Sequence, residues 1–308
     1  MPRTTLQALL LLVRADSAPA LVMPVLVGAA LAWWETGIFN LAALVMALVG
    51  LLMSGWGYAA LCDYMDYCLG LRPGARPLFE PPVSGCGLMQ RAVLKPATVR
   101  DLGRILLTIG ALCSLWLALI AGWPLLFFSG LSFLILWAAV LLPLRYGVRG
   151  WGLGEAGIFL GLGLLPLLGS YYAQGQTLSS LPPIIGVPFA LLTTLFFFNY
   201  NAVHFRRDWL IHKRTLTVNL GLARSLDISA LATVLAHIGI LLGVVLTDLP
   251  LGGLVALAAL PLGLGVFAQL ERTSLSVETC LRVYRTSVHA VALAGGLFCA
   301  SLLLDKLF

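Results

Sequence analysis

The chain is a string of apolar runs, each close to the length that a helix needs to cross a bilayer. A hydrocarbon core about 30 Å thick takes about 20 residues of helix. Nine runs come near that length, at 17–34, 41–62, 105–121, 123–142, 156–172, 184–198, 228–247, 251–270 and 288–304. Links as short as 35–40 and 248–250 force neighbouring runs into antiparallel hairpins. Pro24, Pro166, Pro188 and Pro261 fall inside runs, which membrane helices tolerate when neighbours satisfy the freed carbonyls. The expected fold is all-α: one polytopic membrane domain, 1–308, of about nine transmembrane helices.

Composition excludes the alternatives. Apolar residues are 60% of the chain, charged residues 10%, and the mean hydropathy is +0.98. A soluble domain carries roughly 25% charged residues, so most of this outer surface must face lipid. Disordered, coiled-coil, collagen-like and disulfide-rich scaffolds fail on the same numbers. Six cysteines (Cys62, Cys68, Cys86, Cys113, Cys280, Cys299) are scattered with no CxxC pair, which points to neither a disulfide framework nor a zinc site. Residues 1–16 are basic, then apolar, but lack a small-residue cleavage pattern. They read as a retained interfacial helix.

The charges orient the bundle. Arg3 and Arg14 precede the first run. Arg72, Arg76, Arg91, Lys95, Arg100 and Arg104 lie between the second and third. Arg145 and Arg149, then Arg206 to Arg224, then Arg272 to Arg285, occupy the later links on the same side. The opposite links hold no Lys or Arg, and only Lys306 follows the last run. By the positive-inside rule the amino terminus and the site-bearing segments 63–104 and 199–227 are cytoplasmic and the carboxyl terminus is outside. The net charge of +6 is then a topology signal, and nucleic acid is not an expected partner.

Two of the basic links also contain acids, each at the end of an apolar run. In the first, Asp63 and Asp66 are three apart and share a face if the helix continues. Carboxylates at the rim of a membrane bundle are costly unless compensated. Magnesium bridging them to a phosphate would compensate them; so would a simple acidic patch neutralised by Arg72 and Arg76. In the second, Asn201, His204 and Asp208 fall at i, i+3 and i+7, one face of a helix, with Lys213 and Arg214 following. Oxygen ligands beside clustered cations suit a diphosphate; anchoring to anionic lipid is the alternative. His237 and His289 read as packed helix residues, and Trp33, Trp34, Trp123 and Trp151 as an aromatic belt. Gly157, Gly161, Gly163 and Gly169 read as close helix packing. Glu155 is either a snorkelling charge or a wall of the site.

These residues resemble a known family. The two helix-end motifs on a nine-helix bundle are similar to the UbiA superfamily of intramembrane prenyltransferases, and within it to the 1,4-dihydroxy-2-naphthoate polyprenyltransferase branch of menaquinone synthesis. The strings that carry the resemblance run along most of the chain. They are Pro24 to Gly28 (PVLVG), Ser84 to Arg91 with Leu94-Lys95-Pro96, and Arg145-Tyr146 with Gly152 to Glu155 (GLGE). Gly169 to Gly175 (GSYYAQG) and Lys213 to Leu216 (KRTL) with Leu220-Gly221 complete the set.

The resemblance implies an enzyme that moves a polyprenyl group from an allylic diphosphate to an aromatic, naphthoate-like acceptor within membrane lipid, with Mg2+ as cofactor. Carried over by position, Asp63, Asp66 and Asp208 would hold the metal. Asn201, His204, Arg72, Arg76 and Lys213 would bind the diphosphate, Lys213 also assisting catalysis. The chain departs from the family pattern at Cys62, where Asn is usual, at Gly70 or Arg72, where a further Asp is usual, and at His204, where Asp is usual. Two expected acids are therefore missing, which implies a site that holds one magnesium, prefers another metal, leans on Arg72 for charge, or is inactive. A protonated His204 would add to that charge. The alternatives are a divergent lipid-binding or transport protein on the same fold, or a prenyltransferase for another acceptor.

Overall fold

The structure, a computed structural model, describes residues 5–70, 85–141, 144–270 and 275–308. Arg72, Arg76 and Ser84 lie outside the described residues. No strand forms among the described residues; a single bridge joins Arg149 and Arg214.

The chain opens with α1 (Thr5–Leu12), then α2 (Ala15–Thr36), α3 (Leu41–Gly70), the short α4 (Gly85–Gln90), α5 (Pro96–Ala121) and α6 (Pro124–Val140). The second half holds α7 (Leu153–Gly175), α8 (Leu181–Val203), the short α9 (Phe205–Leu210) and α10 (Leu216–Leu220), then α11 (Leu222–Val245), α12 (Leu251–Ala268) and α13 (Val277–Leu307). Eight of these are long and apolar enough to cross a membrane, and α6 is a shorter apolar helix of 17 residues. Each of the nine expected runs is thus helical, and the chain is an integral membrane protein.

The helices outrun the apolar stretches that announced them. α5 starts at Pro96 rather than at 105, and α13 at Val277 rather than at 288. Hydropathy reports only the part immersed in lipid, whereas backbone hydrogen bonding continues until a cap stops it. At α13 the cap is Ser276, whose hydroxyl accepts from the Thr279 N–H at 3.1 Å.

Glycines set how closely the helices approach. A Cβ on Gly57 of α3 would lie 2.8 Å from the Gly103 carbonyl oxygen of α5, and one on Gly28 of α2 would run into the Leu167 carbonyl of α7. Such contacts, rather than a hydrophobic drive, hold helices together in lipid. α8 forms the central post: 78% of its most apolar window is buried, and it packs on α2, α7, α11 and α13. Lipid-facing positions such as Leu119 and Leu134 stay exposed on the outside.

α1 does more than lie at an interface. Ala8 and Leu12 are buried against Leu88, Met89 and Val99, so the segment docks on α4 and α5. The carboxyl terminus lies at the far end of the bundle from α1, where Trp34 Nε1 donates to Asp305 at 2.8 Å and Lys306 Nζ donates to the Trp34 carbonyl at 2.8 Å.

Candidate functional site

α3 passes Cys62 without a break and carries Asp63 and Asp66 one turn apart, 1% and 2% exposed. Two buried carboxylates in a membrane bundle need compensation, and four cations from distant parts of the chain supply it. Arg14 Nη2 reaches Asp63 at 3.2 Å. Asp66 receives Arg145 Nη2 at 2.8 Å, Lys213 Nζ at 2.7 Å and Arg207 Nη2 at 3.5 Å. Arg207 also grips Asp208, with Nη2 at 2.8 Å and Nε at 2.9 Å from the same oxygen, and Lys213 Nζ stands 3.8 Å from the other.

Local backbone structure explains how these cations arrive. Arg14 and Arg145 both adopt left-handed conformations, φ 56° and φ 36°, at the turns before Ala15 and Tyr146. Non-glycine residues rarely do so, and the strain costs about 1–3 kcal/mol each. Their ion pairs with Asp63 and Asp66 are the compensating interactions in view. The chain after α9 is held by the Lys213 N–H to the Asp208 carbonyl, 2.9 Å, and the Arg214 N–H to the Val148 carbonyl, 3.2 Å. Those two bonds bring Lys213 and Arg145 to one carboxylate.

The second motif is not one continuous helix. α8 ends at Val203, His204 stands in a turn with φ −99°, and α9 begins at Phe205. The expected i, i+3, i+7 face is therefore broken, because the chain turns to carry Arg207 and Asp208 inward. Asn201 Nδ2 points to Glu155 Oε1 at 3.4 Å, which places Glu155 at the wall of this region. His204 is 1% exposed, its ring centroid 4.5 Å from that of Tyr200. Both of its ring nitrogens are buried without a hydrogen-bond partner. Burial, then the positive charges of Arg207, Arg14 and Lys213, hold its pKa well below the usual histidine value. The imidazole is neutral here, and a cationic role is disfavoured.

Arg14 and Lys213 show the opposite balance. Burial disfavours the Lys213 ammonium, but Asp208 and Asp66 more than offset it and raise its pKa. For Arg14 burial is likewise outweighed, by Tyr200 and Asp63. The Arg14 guanidinium carbon lies 3.9 Å from the centre of the Tyr200 ring, a cation–π contact, and Tyr284 meets that tyrosine edge-on at 5.5 Å.

A cavity of about 260 Å3 opens between α2, α3, α5, α6 and α7, lined by Val25, Gly50, Ser54, Phe133, Gly161 and Ser170 among others. Ser170 donates to the Val25 carbonyl at 2.8 Å and Ser114 to the Gly110 carbonyl at 3.0 Å, so these hydroxyls are already satisfied and the wall behaves as apolar. Ser54 and Asp63 lie on α3 about 14 Å apart along the axis.

No family model matches the sequence, and no curated protein matches it. Solved structures do. A UbiA homolog from Archaeoglobus fulgidus bound to GPP and Mg2+ superposes with TM-score 0.63 at 11% identity, over 94% of this chain and 99% of that one. The chain has the UbiA fold. The same homolog bound to Cd2+ matches with TM-score 0.59 at 13% identity, over 94% and 99% of the two chains. A digeranylgeranylglyceryl phosphate synthase matches with TM-score 0.57 at 16% identity, over 97% and 99%.

Against the UbiA fold, the residues expected to form the site divide. Asp63, Asp66, Asp208 and Lys213 converge on one cluster, with Asn201 at the end of α8 and His204 in the turn after it. Arg72 and Arg76 lie outside the described residues. Arg14, Arg145 and Arg207 are ligands of the cluster that the motifs did not single out as such. Arg14 read as a topology charge, Arg145 as a topology charge and part of the Arg145-Tyr146 string, and Arg207 only as the neighbour of Asp208. Mg2+, which the fold implies, does not fit the arrangement. Among the described residues no three His, Cys, Asp or Glu side chains are grouped to hold a metal ion. Asp63 Oδ1, both Asp66 oxygens and Asp208 Oδ1 are engaged by guanidinium and ammonium groups, and Asp208 Oδ2, which accepts no hydrogen bond, has Lys213 Nζ 3.8 Å away.

Proposed function

We propose that the protein is a membrane prenyltransferase that moves a polyprenyl group from an allylic diphosphate to an aromatic acceptor. The acceptor is 1,4-dihydroxy-2-naphthoate or a related quinone precursor, in keeping with the motif strings from Pro24 to Leu216. One observation carries the reading: four cations gathered on buried carboxylates at one end of α3 and an apolar cavity farther along the same helix. That pairing suits a ligand with a polyanionic head and an isoprenoid tail. Support comes from the shared fold with a protein solved with GPP.

In this reading the bond between the allylic carbon and the diphosphate oxygen breaks, and both electrons leave with the diphosphate. Arg145, Arg207 and Lys213 stabilise the growing negative charge as preorganised donors in a site of low dielectric. The allylic cation is taken up by the electron-rich ring, a carbon–carbon bond forms, and the ring loses a proton. The site end of the bundle faces the cytoplasm, by the lysine and arginine distribution.

The test is direct. Detergent-solubilised protein, given an isoprenoid diphosphate and a panel of hydroxylated naphthoates, benzoates and quinols, with and without magnesium, should yield a prenylated ring and free diphosphate. No product with any acceptor would overturn the enzymatic reading. A lipid-binding protein on the same fold would remain, a reading favoured by the engagement of all three aspartates in ion pairs.

A further inference from the structure

We infer that this site takes the diphosphate head directly on Arg14, Arg145, Arg207 and Lys213, with no divalent cation between the phosphate oxygens and the protein. The inference rests on the diphosphate reading above and specifies how that group is held.

The argument starts from what each aspartate touches. A metal-mediated phosphate site needs carboxylate oxygens turned toward a shared point, because magnesium takes oxygen ligands at near-octahedral angles. Here Asp63 and Asp66, though one helical turn apart, face different partners. Asp63 meets Arg14 from the turn before α2, and Asp66 meets Arg145, Lys213 and Arg207 from the other half of the chain. Asp208 Oδ1 is held by its neighbour Arg207, and Oδ2 faces Lys213 Nζ at 3.8 Å. The position at which the family pattern has another acid is His204, buried and neutral among these cations.

Charge points the same way. The four cations and three aspartates sum to 4 − 3 = +1, and Glu155 at the wall brings the region to 0, so the cluster carries no negative excess to draw a divalent cation. A site needing divalent metal would carry a negative excess instead. Guanidinium groups suit the partner well, since they offer several donors in a plane matched to phosphate oxygens. Arg14 also has a buried Nε with no hydrogen-bond partner. In this arrangement the aspartates act as positioning residues that hold the cations in place before the anion arrives and compete with it afterwards.

That competition provides a test whose sign differs between the two mechanisms. If the phosphate sits on a metal, neutralising an aspartate removes a metal ligand and weakens anion binding. If it sits on the cations, neutralising an aspartate frees them and strengthens it. The measurement is calorimetric binding of inorganic pyrophosphate to the purified full chain in detergent, in excess EDTA and in magnesium. The chains compared are wild type, Asp66→Asn, Asp63→Asn and Arg145→Ala. The inference expects binding in EDTA, about three- to tenfold tighter in the two asparagine variants and about tenfold or more weaker in Arg145→Ala. Size-exclusion profiles identify any variant that does not fold, and the wild-type comparison in EDTA stands without the variants. Pyrophosphate binding that needs magnesium and is lost in Asp66→Asn would overturn the inference and leave the diphosphate reading intact. No pyrophosphate binding under either condition would overturn both.

Discussion

Lys213 Nζ lies 2.7 Å from Asp66 Oδ2 although 147 positions of sequence separate them. One end of the pair belongs to α3, the second helix of the first hairpin, the other to the loop after α9. Their meeting closes the two halves of the bundle over one charged cluster.

That pair should be strongly coupled. Removing one member of a buried ion pair leaves an uncompensated charge and costs about 3–5 kcal/mol, here reduced on the Asp66 side because Arg145 and Arg207 remain. Lys213→Met and Asp66→Asn should each destabilise the protein, and the double variant should be more stable than their sum by about 1–3 kcal/mol. Unfolding in mixed detergent micelles would measure the cycle. Simple additivity would show that the contact contributes little.

Arg14 pins the amino-terminal segment. Its ion pair with Asp63 and its stacking on Tyr200 both depend on a planar guanidinium, so Arg14→Lys should behave much like Arg14→Ala. Both variants should expose residues 1–16 to protease in detergent, with the rest of the chain protected. If the lysine variant is as resistant as wild type, a point charge suffices.

His204 makes stability depend on pH in a defined direction. In the unfolded chain a histidine titrates near about 6.5, whereas folded His204 does so well below that. Between the two values the unfolded chain binds a proton that the folded chain does not. Stability is therefore fully present above about pH 6.5 and falls as the pH drops toward the folded value. The groups facing the ring are Tyr200, Arg14, Arg207 and Lys213, and none of them titrates in that window. Thermal unfolding from about pH 8 to about pH 5 should show a steeper loss for wild type than for His204→Gln. Equal slopes would mean that the ring takes up a proton in the folded state.

Orientation can be checked without reference to chemistry. Gln176 is exposed in the turn after α7, in the link between α7 and α8 that lacks Lys and Arg. A single cysteine placed there should react with an impermeant maleimide from the outside of intact cells and be protected from reagent on the cytoplasmic face. Labelling from the cytoplasmic side would invert the topology.

Hydropathy determined the membrane-crossing helices of this protein, though not their ends. Runs of about 20 apolar residues leave a chain in lipid no alternative to helix, since every backbone N–H and C=O must be satisfied within the segment. The pairing of Asp63 with Asp66 on one face was likewise legible, because a three-residue spacing means the same thing on any continuous helix. The partners of those aspartates were not. Arg14 carried the same signature as every other basic residue on that side of the membrane, the Arg145-Tyr146 string named no carboxylate partner, and the turn at His204 interrupts the helical face that runs from Asn201 to Asp208. Local spacing describes what one helix presents, whereas ion pairing depends on which helices stand next to each other and how closely. Here that was decided by glycine contacts such as Gly28 against Leu167 and Gly57 against Gly103, and by the two left-handed turns at Arg14 and Arg145.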